Sequence, residues 1–387
     1  MQQYMPNDAV SGGAPGVRRE TTLSTNARMA GALICAALLV VEIAWTVRDI
    51  NAMGFHDTVW GWLNLQLPGT KHALLATGGL DGILVAVIAG AFVCAWRPGA
   101  AWAFVTAGLF AALFRIPALW VFTAHWSQGA PLRGRALATG IGFAVAGVAL
   151  VLLGLLGREP VLPGGSGVAP RPPRRGPALA GGVVLLLLAV ELAGWQFYDL
   201  QKYNDEGYPP HLYEHLLTGE GTLSSLLDAP FVWASWVLVA LSVAAAVAAF
   251  RGAPLARPLG MAIGGAMFFN AVVALDAWHT EKMLFKFNQL PDSMKSQQVT
   301  LVFELVAGLL LFVLFVVRGN RIVPPNSPWA PQPPRYGQPG WGVPPQQPAP
   351  GGFGPPPPLP SNYPPGAPPS PSGPPSQPPG AGGWGPR

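Results

Sequence analysis

Apolar and polar positions alternate along this chain on the scale of whole segments rather than single residues. Eight apolar runs cover approximately residues 29–47, 73–95, 101–124, 136–156, 178–198, 230–250, 258–278 and 298–317. Each reaches about the 18–20 residues that a helix needs to cross a bilayer core. A spanning segment must be helical, because lipid offers its backbone no hydrogen-bond partners. The pattern predicts an all-α integral membrane protein of about eight transmembrane helices. The first run is longer than the apolar core of a signal peptide and has no convincing small-x-small cleavage site, so it is expected to remain as a helix.

The polar stretches divide the chain further. Residues 1–28 read as a disordered cytoplasmic tail, 29–157 as a first four-helix half and 158–177 as a cytoplasmic Pro/Arg linker. Residues 178–318 then form a second four-helix half, and 319–387 a disordered cytoplasmic tail. That last tail holds more than half of the 44 prolines, a composition that cannot build a core and favours polyproline II. Its PPPPLP stretch satisfies the PxxP pattern of a docking peptide, so a cytoplasmic protein partner is one expectation and a merely solvating tail the other.

Two of the runs repeat a local phrase. LVVEIAWTVRDI places Glu42, Trp45 and Asp49 as LAVELAGWQFYDL places Glu191, Trp195 and Asp199. The CAWRPGA and AAFRGAP turns match in the same order, as do AVAGVALVLLGLLG and LVAGLLLFVLFVVRG. This reads as a four-helix unit duplicated in tandem. An even number of spans per unit gives both copies the same orientation.

Composition narrows the classes. Half of the residues are hydrophobic and only 11% are charged, which argues against a string of soluble domains. The net charge of +5 is not gathered into a basic patch with interleaved aromatics, so no nucleic-acid partner is expected. Arginine outnumbers lysine, and alanine, glycine and proline abound, a bias expected of a GC-rich, actinobacterial genome. Cys35 and Cys94 both sit in apolar runs, which excludes a disulfide framework and any CxxC site. Arginine placement sets the orientation: Arg18, Arg19, Arg28, Arg97, Arg158, Arg251, Arg257 and Arg318 all fall on one side. By the positive-inside rule that side is the cytoplasm, with both termini there and the protein in the plasma membrane.

Candidate chemistry lies in the charges inside the runs: Glu42, Asp81, Arg115, Glu191, Asp276 and Glu304. An acid or arginine at a helix centre costs about 2.5–3.5 kcal/mol on insertion scales, so it normally faces a bundle interior or a wet cavity. All six come out in the outer half of the membrane when position is converted to depth. An ion-pair network around Arg115, or an outward acidic pocket, is expected of Glu42, Glu191 and Arg115. Snorkelling to the headgroups is the simpler reading for Asp276 and Glu304, and Asn270 fits either role.

In an outer loop, HLYEH matches the H-x-x-E-H pattern of zinc peptidases through His211, Glu214 and His215. The match is short, Pro209 and Pro210 precede it, and no third ligand is evident, so no metal site, cofactor or catalytic residue is assigned. Three functions remain open: a membrane scaffold or sensor with a docking tail and an outward acidic pocket, a cation- or proton-coupled transporter using that pocket, and a membrane enzyme acting on a lipid or isoprenoid. The lipid bilayer is the one partner required by all three. Oligomeric state is left open.

Overall fold

Most of the described residues are helical. The computed structural model describes residues 21–62, 75–130, 132–160, 174–205, 208–220, 225–280 and 282–316. The Pro-rich tail, most of the N-terminal tail and most of the linker lie outside these residues. A short strand, β1 (Thr21–Leu23), pairs antiparallel with β2 (Arg158–Pro160). The helices in chain order are α1 (Thr25–Met53), α2 (Phe55–Trp62), α3 (Gly79–Cys94), α4 (Ala100–Arg115), α5 (Ala118–Val121) and α6 (Arg133–Leu156). They continue as α7 (Arg175–Asp205), α8 (Leu212–Thr218), α9 (Phe231–Phe250), α10 (Ala256–Thr280) and α11 (Asp292–Val316).

Seven helices among the described residues are long and apolar enough to cross a membrane: α1, α4 running on through α5, α6, α7, α9, α10 and α11. The bundle is a multi-pass membrane protein by that measure. Side-chain distribution says the same. On α11, Val299, Val302, Val306, Leu309, Val313 and Val316 recur at helical spacing and are all exposed, while Gln298 and Glu304 are buried. On α1, Val40, Ile43 and Val47 face out while Glu42 and Asp49 face in. Acids inside and valines outside are stable only where the surroundings are apolar.

Two expected boundaries move. Residues 21–28, read from composition as tail, form β1 and the first turn of α1, because Ser24 caps that helix by accepting from Ala27 N at 3.2 Å. The second apolar run, expected helical from residue 73, is helical only from Gly79. Residues 75–78 are not helical, because their donors are claimed by side chains: Asp49 accepts from Ala76 N (3.0 Å) and Thr77 N (2.8 Å), and Asp81 accepts from Gly78 N (2.5 Å). That leaves α3 at 16 residues, roughly 24 Å of helix.

Close backbone approach holds the helices in pairs. At the α4–α6 crossing a Cβ on Gly108 would lie 2.4 Å from the Gly147 carbonyl, and at the α10–α11 crossing one on Gly308 would lie 2.6 Å from the Gly264 carbonyl. Small residues at such crossings admit the tight contact that drives helix association in lipid. Helix α7 packs along α9, α1 rests on α3 and α6, and α10 meets α3 and α4. Residues 75–76 and 226–227 join backbone to backbone, Leu226 N to Leu75 O (3.0 Å) and Leu227 N to Ala76 O (2.9 Å).

Candidate functional site

Five of the six charges singled out above gather toward one end of the bundle, where α1, α4, α7 and α10 finish. They form two centres rather than one. The first is built on Arg115, the last residue of α4, where Pro117 interrupts the helix. Arg115 is 2% exposed, Glu42 0% and Asp81 1%. Its Nη2 donates to Glu42 Oε1 at 2.5 Å and also to Asp81 Oδ1, while Nη1 donates to the Leu227 carbonyl. The guanidinium also lies 5.3 Å from the centroid of the Phe143 ring on α6. Asp81 therefore does two jobs, since its other oxygen caps the start of α3. Beside this centre remains a void of about 10 Å³, room for roughly one water. One guanidinium here serves two carboxylates and a carbonyl, leaving an excess of acid, with Glu42 Oε2 and Arg115 Nε unbonded among the described residues.

The second centre is open. A cavity of about 670 Å³ lies between α7, α9, α10, α11 and residues 75–83, within the size range of small-molecule sites. Glu191 and Glu304 line it, with Asn270 donating from Nδ2 to Glu304 Oε2 at 2.9 Å. Both carboxylate oxygens of Glu191 are buried, and no cation pairs with them among the described residues. The Trp195 indole lies beside Glu191 and donates to Thr300 Oγ1 at 3.2 Å. Four carboxylates (Glu191, Asp199, Asp228 and Glu304) face one lysine, Lys202, in the lining. Lys202 sits within electrostatic reach of Asp199, with Tyr198 and Tyr208 around its ammonium at 5.8 and 5.9 Å. The floor is apolar, reaching Leu238 and Met267.

The six-charge cluster thus resolves into Arg115 with Glu42 and Asp81, and Glu191 with Glu304. Arg115 bonds two of the five carboxylates expected around it. Asp276 belongs to neither centre and stays partly exposed near the end of α10. The HLYEH residues do not converge. His211 precedes α8 with a left-handed φ of 65°, its Nδ1 3.2 Å from Glu214, while His215 Nε2 lies 3.8 Å from Glu220. Among the described residues no three His, Cys, Asp or Glu side chains are grouped to hold a metal.

Two functional acids escaped the reading of the apolar runs. Asp49, fully buried, accepts from Ala76 N, Thr77 N and Thr77 Oγ1 and pairs with Arg48 at 2.6 Å. Its place in the repeated phrase was the available signal. Asp228 lies just before an apolar run, outside the window where a charge looks costly, and lines both spaces.

No family model matches the chain, and comparisons with curated proteins and with solved structures return no match. The functional reading therefore rests on the residues themselves.

Proposed function

We propose that this protein is a membrane sensor that binds a small ligand from outside the cell in the cavity between α7, α9, α10 and α11. In this reading α3, extended by residues 75–78, is an eighth span, and the two sets of four spans are copies of one unit. Matched contacts support the duplication. Trp45 Nε1 donates to Thr139 Oγ1 at 3.1 Å as Trp195 Nε1 does to Thr300 Oγ1 at 3.2 Å. The Gly108–Gly147 and Gly264–Gly308 crossings occupy the same places in the two sets. The orientation draws support from the arginines at the opposite end. Arg158 Nε donates to Gly154 O at 2.7 Å and Arg257 Nε to Phe315 O at 2.9 Å, and a cationic end is the cytoplasmic one.

The observation that carries the function is the cavity itself, concave, lined by aromatics and acids, and closed beneath. Leu185, Leu241, Leu259, Ile263, Leu311 and Phe315 are buried in the core toward the cytoplasmic end of the same helices. A closed floor favours binding and signalling over passage, and the Pro-rich segment 319–387 is the natural docking arm for a cytoplasmic partner.

Cysteine accessibility tests this. In a Cys35→Ala/Cys94→Ala background, Ser235→Cys on the cavity wall is expected to react with a membrane-impermeant maleimide applied to intact cells, and Ala107→Cys in the packed first half is not. Protection of Ser235→Cys, or its labelling only from the cytoplasmic side, would refute the outward cavity. A chain ending at residue 321 should keep the labelling and lose the cellular phenotype; an unchanged phenotype would remove the docking arm from the proposal.

A further inference from the structure

The two halves, compared position by position, differ most where charge is concerned. On α6, Phe143 lies four residues before Gly147; on α11, Glu304 lies four residues before Gly308. On α4, Arg115 follows Gly108 by seven residues; on α10, Asn270 follows Gly264 by six. Arg115 lies 5.3 Å from the Phe143 ring and Asn270 bonds Glu304, so the third and fourth helices meet through these residues in both halves, one residue apart in register. Where the first half sets a cation against a ring, the second sets a neutral amide against an acid. Glu42 has its guanidinium, whereas Glu191 has no ion pair among the described residues and only the Trp195 indole beside it. Asp49 is spent on holding residues 76–77, while its repeat partner Asp199 turns to the cavity.

We infer that the second half takes its missing cation from a ligand, and that the ligand is an organic ammonium: a protonated amine on an apolar body, its charge set between Glu191 and Glu304. The inference rests on the outward cavity proposed above. Three features point to this class over an inorganic ion. The space is far larger than a dehydrated metal needs, and among the described residues no three His, Cys, Asp or Glu side chains are grouped closely enough to form a coordination shell. The walls carry Trp62, Trp195, Tyr198, Tyr203 and Phe269, faces that attract organic cations and cover apolar bodies. The Ser225 hydroxyl, 2% exposed and part of the lining, has no hydrogen-bond partner among the described residues, leaving an acceptor for an ammonium N–H. Lys202 does not fill this role, being engaged with Asp199, Tyr198 and Tyr208 toward the end of α7.

Phenethylamine, phenethyl alcohol and phenylacetate share a body and differ in charge, so they serve as probes on the full chain in nanodiscs. Binding is read by tryptophan fluorescence and by the melting temperature. The amine is expected to bind at least about tenfold more tightly than the alcohol, the worth of one charge-assisted hydrogen bond, and the carboxylate least of all. Glu191→Gln and Glu304→Gln should each weaken the amine by about tenfold or more while leaving the alcohol unchanged. Asn270→Arg, which sets a built-in cation beside Glu304, should abolish amine binding while the melting temperature holds or rises. Equal affinity for amine and alcohol, or amine binding that survives both Gln substitutions, would overturn the assignment. If Ser235→Cys is labelled from outside and the amine still fails to bind, the cavity stands and the cation assignment falls. A protected Ser235→Cys removes the cavity and with it this inference.

Discussion

Replacing Arg115 by Gln is the most demanding perturbation the first half offers. The guanidinium is 2% exposed and holds Glu42 at 2.5 Å, Asp81 and the Leu227 carbonyl, all three away from solvent. At an effective dielectric near 20, each carboxylate contact is worth about 4 kcal/mol of Coulomb attraction before desolvation is charged against it. The net value of the assembly is smaller, because three charges were dehydrated to make it. Removing one member is another matter: it leaves two buried carboxylates facing each other with no counter-charge, and such changes cost about 3–5 kcal/mol. At about 2–4 °C per kcal/mol for a body of this size class, Arg115→Gln should lower the melting temperature by roughly 6–20 °C. Arg115→Lys should fall between, keeping the charge but losing the fork that reaches three acceptors at once.

A double-mutant cycle separates the ion pair from simple packing. Adding Glu42→Gln to Arg115→Gln removes one stranded charge, so the double variant should be more stable than the sum of the single losses by about 1–3 kcal/mol. Melting of purified protein in a single detergent, followed by tryptophan fluorescence, reads all four corners. A melting temperature for Arg115→Gln within about 3 °C of the parent would refute the reasoning. So would strict additivity of the two substitutions.

The remaining predictions concern the frame. Asp49→Ala strips the acceptor from Ala76 N, Thr77 N and Thr77 Oγ1, and each buried donor left bare costs about 1–3 kcal/mol; faster amide exchange over residues 76–79 is the expected readout, and unchanged protection there would count against the role given to Asp49. Gly308→Ala places a Cβ 2.6 Å from the Gly264 carbonyl, so α10 and α11 must part, at about 1–3 kcal/mol. Gly142→Ala, with nothing within 4 Å of its added Cβ, should be neutral or stabilising in the same melting assay, and equal losses for both would undo the packing argument.

Much of this was legible in the chain because lipid makes charge conspicuous. Glu42, Asp81, Arg115, Glu191 and Glu304 each stand in an apolar run where exposure to acyl chains is costly, so their inward orientation could be argued from position alone. Partition into two centres was not legible. Periodicity says which face of a helix is buried but not which neighbour it meets, so nothing in the run around Glu304 announces Asn270. Hydropathy also could not find the start of α3. The ATGG stretch is apolar enough to extend the run, but Ala76 N and Thr77 N there are claimed by the one Asp49 carboxylate, 27 and 28 residues upstream of them. Asp228 escaped for the opposite reason: it lies at the polar edge of its run, where a charge is expected.

The two centres are not independent, and their coupling explains why one half is closed. Arg115 belongs to α4, yet one of its hydrogen bonds is to Leu227, in the segment that leads into α9. That segment is also joined backbone to backbone with residues 75–76, which Asp49 and Asp81 hold in place on the first half. Trp233 of α9 completes the join by donating to Leu113 O at 2.8 Å and meeting Trp120 edge-on at 5.1 Å. Thr77, Gly78, Leu80 and Ile83, all from the first half, then form one wall of the cavity, and Ser225 and Asp228 flank it. A tightly packed first set of helices thereby supplies one wall of the cavity, and under the proposal a ligand is held against it. Under the proposed duplication, the acids of the two halves would share position but not use. Glu42 has its cation built in, and the proposal leaves Glu191 to answer to a cation that arrives.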